Sequence, residues 1–204
     1  MPVTNGYTTR AALKTALGIS AATTFDADID RAINAASRWI DDYTGRRFYA
    51  ATETRYYSAP TRHVLPVDDL LSVTTLKTDA DGDRVYEDTW ATTDYDLLPY
   101  NALVQSPPGP YTQLQTTPEG SFHFPLDMPR GVEIVGSWGY VATAPPDVEM
   151  ACVLWASRLF RRKDAPFGLI GGESVELLRS ILQSDPDVLA LLRRFVRSVH
   201  SLVT

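Results

Sequence analysis

The sequence predicts an α+β fold in which a small helical bundle, built from both ends of the chain, carries an inserted antiparallel β region. Helical periodicity dominates up to about residue 50. Threonine, valine, tyrosine, proline and glycine then dominate to about residue 140, where helical patterns return. Helices and strands segregated along a chain are typical of α+β proteins. The predicted segments are N-terminal helices over 1–50, a β-rich insertion over 51–144, and C-terminal helices with a tail over 145–204.

The first predicted helix is short and carries a signal at each end. Thr8 or Thr9 can cap it, because a hydroxyl can accept a hydrogen bond from an unpaired amide of the first turn. It runs to Leu17, and Gly18 follows at the position where a left-handed residue commonly ends a helix.

The second predicted helix is longer and begins at an acidic cap, Asp26 or Asp28. It ends near Thr44, and Gly45 supplies the stop signal. Apolar side chains three or four positions apart form one stripe along it: Ile29, Ile33, Ala36, Ile40 and Tyr43. Such a stripe predicts a helix that packs one face against a core.

The central part of the chain alternates short β-type runs with turn residues. Asp81-Gly82, between two such runs, is a strong hairpin signal. Residues 106–120 contain four prolines and are predicted to form a loop. The predicted strands cover residues 52–57, 70–77, 84–90, 95–98, 121–124 and 132–140.

Helical patterns return at Pro145-Pro146-Asp147, because proline is tolerated in the first turn of a helix. This third helix is predicted to reach about Lys163, and a further helical run covers 173–183. Residues 184–187 cap a last helix. The apolar faces of the third and last helices are formed by Val148, Cys152, Trp155 and Leu159, and by Val188, Leu191, Leu192, Phe195 and Val199.

Charge is unevenly distributed along the 204 residues. Residues 1–154 carry a net charge of −9 and residues 155–204 a net charge of +3, which gives −6 overall. Because binding to a phosphate backbone requires clustered positive charge, the acidic body formed by residues 1–154 argues against binding to nucleic acid. The asymmetry permits a head-to-tail contact between the basic end of one copy and the acidic body of another.

The single cysteine, Cys152, excludes an intrachain disulfide and favours a reducing compartment. The N-terminus lacks the pattern of a signal peptide. No apolar run approaches the ~20 residues that a membrane span needs. We therefore expect a soluble protein that is made in the cytoplasm and has no contact with a membrane.

No motif for catalysis or cofactor binding occurs in the sequence. His63, His123 and His200 have no partner at a metal-binding spacing, and Cys152 lies on an apolar helix face where an inert thiol is expected. Phosphate-binding glycine loops and the nucleophile elbow of hydrolases are absent. The sequence thus predicts neither an enzyme nor a protein that binds a cofactor or a metal.

Three carboxylates at alternate positions, Asp79, Asp81 and Asp83, resemble the start of a calcium-binding loop. An EF-hand requires glycine at its sixth position and glutamate at its twelfth. Here Gly82 is fourth and Trp90 is twelfth. The Asp-Gly turn explains the segment as the tip of a hairpin, so a hairpin tip is favoured over a calcium site.

Several strings, taken in order along the chain, carry a resemblance. YTTRAALKTALGI and then DADIDRAINAASRWIDDYTGRRFYA, with Tyr43-Thr44-Gly45-Arg46-Arg47-Phe48 near its end, resemble the N-terminal part of the head–tail connector proteins of tailed phages, the HK97-type adaptor family. LKTDADGD is similar to a hairpin in the inserted β region of the longer adaptors. The helix that opens with Pro145-Pro146-Asp147 is similar to the next helix of the family.

The resemblance implies a structural virion protein of the head–tail neck, without enzymatic activity or cofactor. It also implies that the protein is in the host cytoplasm during assembly. Adaptors of this family form a ring, usually a dodecamer, beneath the portal protein. The ring joins the portal to the stopper or tail-completion protein, and DNA passes through its lumen without specific binding. C-terminal segments of the family commonly reach the portal.

The last helix and tail are therefore the expected contact with the portal or with a neighbouring copy. The candidate partner-binding residues are Arg193, Arg194, Phe195, Arg197 and Leu202. The alternative interpretation is that Phe195 belongs to the bundle core and that the arginines are solvated, since exposed arginines contribute little.

Two other classes of protein fit parts of the sequence. Another neck protein, a stopper or a tail terminator, would also form a ring but would be mostly β. A calcium- or carbohydrate-binding module would use the aromatic-rich β segment as its platform, and would behave as a monomer that its ligand stabilises. The helices predicted at both ends of the chain favour the adaptor.

Overall fold

The structure of the protein is a computed structural model that describes residues 2–162 and 186–197. These residues form two compact units. The helical unit comprises residues 2–46, 144–162 and 186–197, and the sheet unit comprises residues 47–143. Four helices and a six-stranded antiparallel sheet occur in the described residues, which confirms the α+β prediction. None of the described helices is long and apolar enough to span a membrane.

The helical unit contains α1 (Arg10–Leu17), α2 (Asp26–Thr44), α3 (Pro146–Arg162) and α4 (Pro186–Leu192), followed by a 3₁₀ turn (Arg193–Phe195). The end signals of α1 are confirmed: the Thr9 hydroxyl accepts from the amide of Ala12, and Gly18 is left-handed. The helical run predicted over 173–183 lies outside the described residues.

The acidic cap predicted for α2 is wrong. Phe25 occupies the N-cap position and makes no side-chain capping bond, and Asp26 is the first helical residue. The carboxylate of Asp26 instead pairs with Lys14 and lies 3.1 Å from a guanidinium nitrogen of Arg10. The Asp26 carboxylate therefore forms salt bridges to α1 and does not cap α2.

The predicted apolar stripe of α2 faces the core of the helical unit. Ile29, Ile33, Ala36 and Ile40 are buried, whereas Tyr43 is partly exposed. The ring of Tyr43 stacks on Trp39, with 5.4 Å between ring centroids, and this contact explains its place outside the core.

The sheet unit contains six strands in the order β1-β6-β2-β5-β4, with β3 paired to β2. All pairings are antiparallel. The strands are β1 (Ala51–Tyr57), β2 (Val64–Thr78), β3 (Asp88–Thr89), β4 (Tyr95–Leu98), β5 (Tyr111–Thr116) and β6 (Val132–Trp138).

Close approach of two strands requires a glycine in β6. A Cβ atom added to Gly136 would lie 2.4 Å from the carbonyl oxygen of Ser72 in β2, a distance that real side chains essentially never show. The register between β2 and β6 shifts on either side of this contact. Gly136 thus lets the two central strands pair across the irregularity.

The inner face of β1 carries two charged side chains, Glu53 and Arg55, between Ala51 and Tyr57. The guanidinium of Arg55 lies over the ring of Trp138, 4.4 Å from its centroid, and donates to the carboxylates of Glu53 and Asp68 at 2.7–3.0 Å. Burial raises the pKa of the neighbouring Tyr57 hydroxyl to about 12. The side chain of Arg55 thereby covers the indole of Trp138, while its guanidinium stays paired with the two carboxylates.

Three strand predictions differ from the structure. Strand β5 lies within the stretch predicted as a loop, because Leu114 is buried and both neighbouring strands pair with the backbone between the prolines. The run 84–90 forms only the two-residue β3. Residues 121–124 form no strand: Phe122 and Phe124 leave the sheet and stack on Trp90, with centroids at 5.7 and 4.8 Å.

Candidate interaction surface

The last turn of the helical unit is fixed by backbone hydrogen bonds to the end of α2. The side chain of Arg46 donates to the carbonyl of Phe195 at 2.9 Å. The amide of Arg197 donates to the carbonyl of Thr44 at 2.8 Å. The phenyl ring of Phe195 is 2% exposed, so it belongs to the core of the unit. These contacts hold the arginines of this turn in a defined position.

Arg194 links the last turn to the start of α3. A guanidinium nitrogen lies 2.7 Å from a carboxylate oxygen of Asp147, and the guanidinium also lies over the ring of Phe195 at 4.6 Å from its centroid. Both members of the ion pair are partly exposed, so the pair contributes about 0–1 kcal/mol. The contact shows that the start of α3 and the last turn lie at the same end of the unit.

Exposed apolar side chains lie beside these arginines. Met150, one turn into α3, is 53% exposed, and Val196 is 41% exposed. Arg193 is exposed and makes no ion pair within the described residues. We call this surface, formed by Met150, Arg193, Arg194 and Val196, the arginine end.

The five predicted partner-binding residues fall into three groups. Arg193 and Arg194 are exposed, as a contact would require. Phe195 is buried, and the backbone of Arg197 is tied to α2. Leu202 lies outside the described residues. Met150 and Val196 were not predicted, because their exposure depends on how the helices pack.

The hairpin tip between β2 and β3 is organised by Asp79. Its buried carboxylate accepts from the amide of Gly82 at 2.7 Å and from that of Arg84 at 3.0 Å. Burial acts to raise the pKa of this carboxyl, but the hydrogen bonds from the amides act in the opposite direction and are stronger together. The pKa of Asp79 is therefore below its ordinary value. Oxygens of Asp79, Asp81, Asp83 and Glu87 lie within 4.8 Å of one another. Since the turn's own amides engage Asp79, the arrangement is that of a hairpin tip.

Two other groups with possible chemistry have structural surroundings. His63 and His123, for which no partner was predicted, lie edge to face with 5.1 Å between ring centroids. Nδ1 of His63 lies 3.1 Å from the Thr116 hydroxyl. Two imidazoles fall short of the four ligands of a structural zinc site. Burial raises the pKa of the Cys152 thiol, which lies 3.5 Å from the Ser37 hydroxyl. A buried thiol of raised pKa is a poor nucleophile.

Residues 99–105, which we call the apolar loop, follow edge strand β4. The amide of Ala102 donates to the carbonyl of Pro99, and the amide of Val104 donates to that of Asn101, at 3.2 and 3.0 Å. Ala102 is fully buried beneath them. The loop backbone is therefore held by its own hydrogen bonds and by one anchoring side chain.

The tip of this loop is apolar and exposed. Val104 is 81% exposed, Tyr100 is 61% exposed and Leu103 is 40% exposed. The hydroxyl of Tyr100 donates to Asp96 at 3.1 Å. Sequence patterns did not single out these residues, although residues 97–118 form a run of 22 positions without a charge. That run is the signal that could have drawn attention to them.

Comparison with known proteins shows a similar fold in solved structures. No protein-family model matches the chain, and no curated protein matches it. The chain is similar to one in the neck of an empty gene transfer agent (GTA) particle computed with C6 symmetry, with 19% identity over 98% of this chain and 96% of that chain and a TM-score of 0.58.

Two further solved structures show the same similarity. In the virion of a native GTA particle, the match has 18% identity over 98% of this chain and 96% of that chain, with a TM-score of 0.57. In the neck of a native GTA particle computed with C12 symmetry, it has 20% identity over 94% of this chain and 93% of that chain, with a TM-score of 0.52. At these identities the comparisons show a shared fold along nearly the whole chain.

Proposed function

We propose that the protein is a structural component of the neck of a phage-like particle, and within the neck a head–tail adaptor. Copies form a ring beneath the portal, the ring joins the portal to the stopper or tail, and DNA passes through its lumen. The observation that carries this proposal is the fold similarity to neck chains, which extends over 98% of this chain and 96% of the neighbour. Two of the neighbouring assemblies were computed with six- and twelvefold symmetry, which supports a ring.

The charge of the molecule supports passage of DNA through such a ring. A channel along which DNA slides must not bind phosphate strongly, and a net charge of −6 meets that requirement. The adaptor is favoured over a stopper or terminator because the described residues at both ends of the chain are helical.

Electron microscopy of the purified protein, alone and mixed with portal-bearing heads, tests the proposal. We expect rings with an open channel, free or attached beneath the portal. Heads incubated with bovine serum albumin serve as the control for non-specific decoration. Monomers in both samples, with no density added at the portal, would contradict the proposal.

A further inference from the structure

We propose that the apolar loop of one copy packs against the arginine end of the next copy, and that this contact joins neighbouring subunits. The inference rests on the proposed ring and specifies which surfaces meet in it. In a closed ring each subunit presents one surface to the copy before it and a different surface to the copy after it. The apolar loop belongs to the sheet unit and the arginine end to the helical unit, so the pair is heterologous as a ring requires.

The apolar loop has the properties of a preformed contact. Its backbone is hydrogen-bonded internally and anchored by Ala102, so little conformational freedom is lost when it binds. Val104 is 81% exposed at its tip, flanked by Tyr100 and Leu103. When a partner covers the exposed apolar side chains of an ordered loop, their removal from water favours binding.

Charge complementarity identifies the partner as a second copy. Residues 85–129, which include the apolar loop, contain no lysine or arginine but six acidic residues, and one of these, Asp96, accepts from the hydroxyl of Tyr100. The arginine end carries two exposed cations, Arg193 and Arg194, of which Arg194 pairs with Asp147, together with exposed Met150 and Val196. An apolar tip in an acidic segment fits an apolar surface that carries exposed arginines.

The area of the contact explains why a ring, rather than a free dimer, would be its setting. The exposed parts of Tyr100, Leu103 and Val104 amount to something on the order of 300 Å². A stable pair of proteins buries about 800 Å² on each partner. The contact is therefore too small to hold two copies alone, and it operates where a template or ring closure brings the copies together.

A matched pair of substitutions tests the contact. Val104→Asp places a charge at the loop tip, and Val85→Asp places the same charge at another exposed valine of the sheet unit. Rings on portal-bearing heads are counted by electron microscopy. We expect at least a tenfold loss of ring occupancy for Val104→Asp and wild-type occupancy for Val85→Asp, with unchanged melting temperatures for both.

Crosslinking between copies tests the two surfaces directly. Protein carrying Val104→Cys is mixed with protein carrying Val196→Cys on portal-bearing heads and treated with a short bis-maleimide. The native Cys152 is buried and does not compete. We expect a dimeric band for this mixture, and none when Val85→Cys replaces Val104→Cys.

The outcomes separate this inference from the proposed function. Rings that form equally well with Val104→Asp, or a missing 104–196 crosslink within intact rings, would overturn the inference and leave the ring standing. Absence of rings for the wild-type protein would overturn the proposed function, and the inference with it.

Discussion

Asp79 shows how one buried carboxylate organises a turn. Its oxygens accept hydrogen bonds from the amides of Gly82 and Arg84, two residues of the tip that follows β2. The alternating acids around it are consequences of the turn: Asp81 accepts from the amide of Asp83, and Asp83 from that of Val85. Local side-chain acceptors of this kind are why aspartate is common in turns.

The lowered pKa of Asp79 makes stability depend on pH in the acid range. A carboxyl whose folded pKa is below its unfolded pKa contributes stability above the unfolded pKa and loses it as pH falls through the folded pKa. Asp30, hydrogen-bonded to Arg10, and Glu53, hydrogen-bonded to Arg55, have pKa values lowered in the same direction. We expect the melting temperature to change little from pH 7 to 5 and to fall below about pH 4.

Asp79→Asn is the variant that isolates this contribution. It should melt at a lower temperature than the wild type at pH 7, because the amides of Gly82 and Arg84 bind different carboxylate oxygens and asparagine replaces one of these acceptors with an NH2 donor. The difference should shrink toward pH 3. Glu119→Gln, an exposed acid-to-amide change elsewhere in the sheet unit, is the control, and its melting curve should follow the wild type. A constant gap between Asp79→Asn and the wild type across this range would contradict the assignment.

The helices show what local sequence determines. α1 and α2 lie at their predicted positions because stop signals and apolar spacing act within a few residues along the chain. Gly45 ends α2 with a φ of 66°, in the left-handed region, and its amide donates to the carbonyl of Asp41. A Cβ atom there would lie 3.6 Å from that of Arg197, an ordinary contact, so a substitution meets conformational rather than steric resistance.

Gly45→Ala should therefore destabilise the protein by about 1 kcal/mol, because an L-residue disfavours the left-handed region. Gly45→Asn should cost less, since asparagine tolerates this region. Gly109→Ala is the control: its φ is not left-handed, and the nearest atom would lie at 3.6 Å. Urea unfolding gives the three free energies, and an equal cost for alanine and asparagine at position 45 would refute the explanation.

The strands show where local sequence fails. β5 could not be predicted because its neighbouring prolines dominate the pattern, while the partners that stabilise it lie in β2 and β4. Phe122 and Phe124 were predicted to lie in a strand because phenylalanine favours strands, but in the structure both rings stack on Trp90 instead. The candidate surface divides in the same way. Basic character near Arg193 was visible in the sequence, whereas the exposure of Val104 and Met150 depends on tertiary packing.

At the scale of the whole molecule, charge is the property that sequence conveys best, because it requires no packing. The acidic body and the basic C-terminal segment predicted a head-to-tail contact, and the structure presents Arg193 and Arg194 on the surface. Phe195, the next residue, is buried in the core of the helical unit. Deleting the segment from residue 193 would therefore remove packing together with charge, and charge reversal is the cleaner test.

Reversing both exposed arginines should prevent assembly. We expect the double variant Arg193→Glu and Arg194→Glu to reduce ring occupancy on portal-bearing heads at least tenfold. The double variant Arg161→Glu and Arg162→Glu should assemble normally, because it makes the same change in net charge at exposed positions near the other end of α3. Sedimentation of heads with labelled protein measures both. An equal loss of binding in the two variants would show that overall charge governs attachment, and wild-type binding of the Arg193→Glu, Arg194→Glu variant would show that the arginine end is not needed.

The charged pair on the inner face of β1 also affects how readily another strand can add to this edge of the sheet. β1 is an edge strand, and seven residues long, so it offers a template for amyloid-like strand addition. A second copy that added a strand here would have to cover Glu53 and Arg55, and removing these charged groups from water costs free energy. The same pair that packs against Trp138 therefore makes addition of a strand at the β1 edge unfavourable.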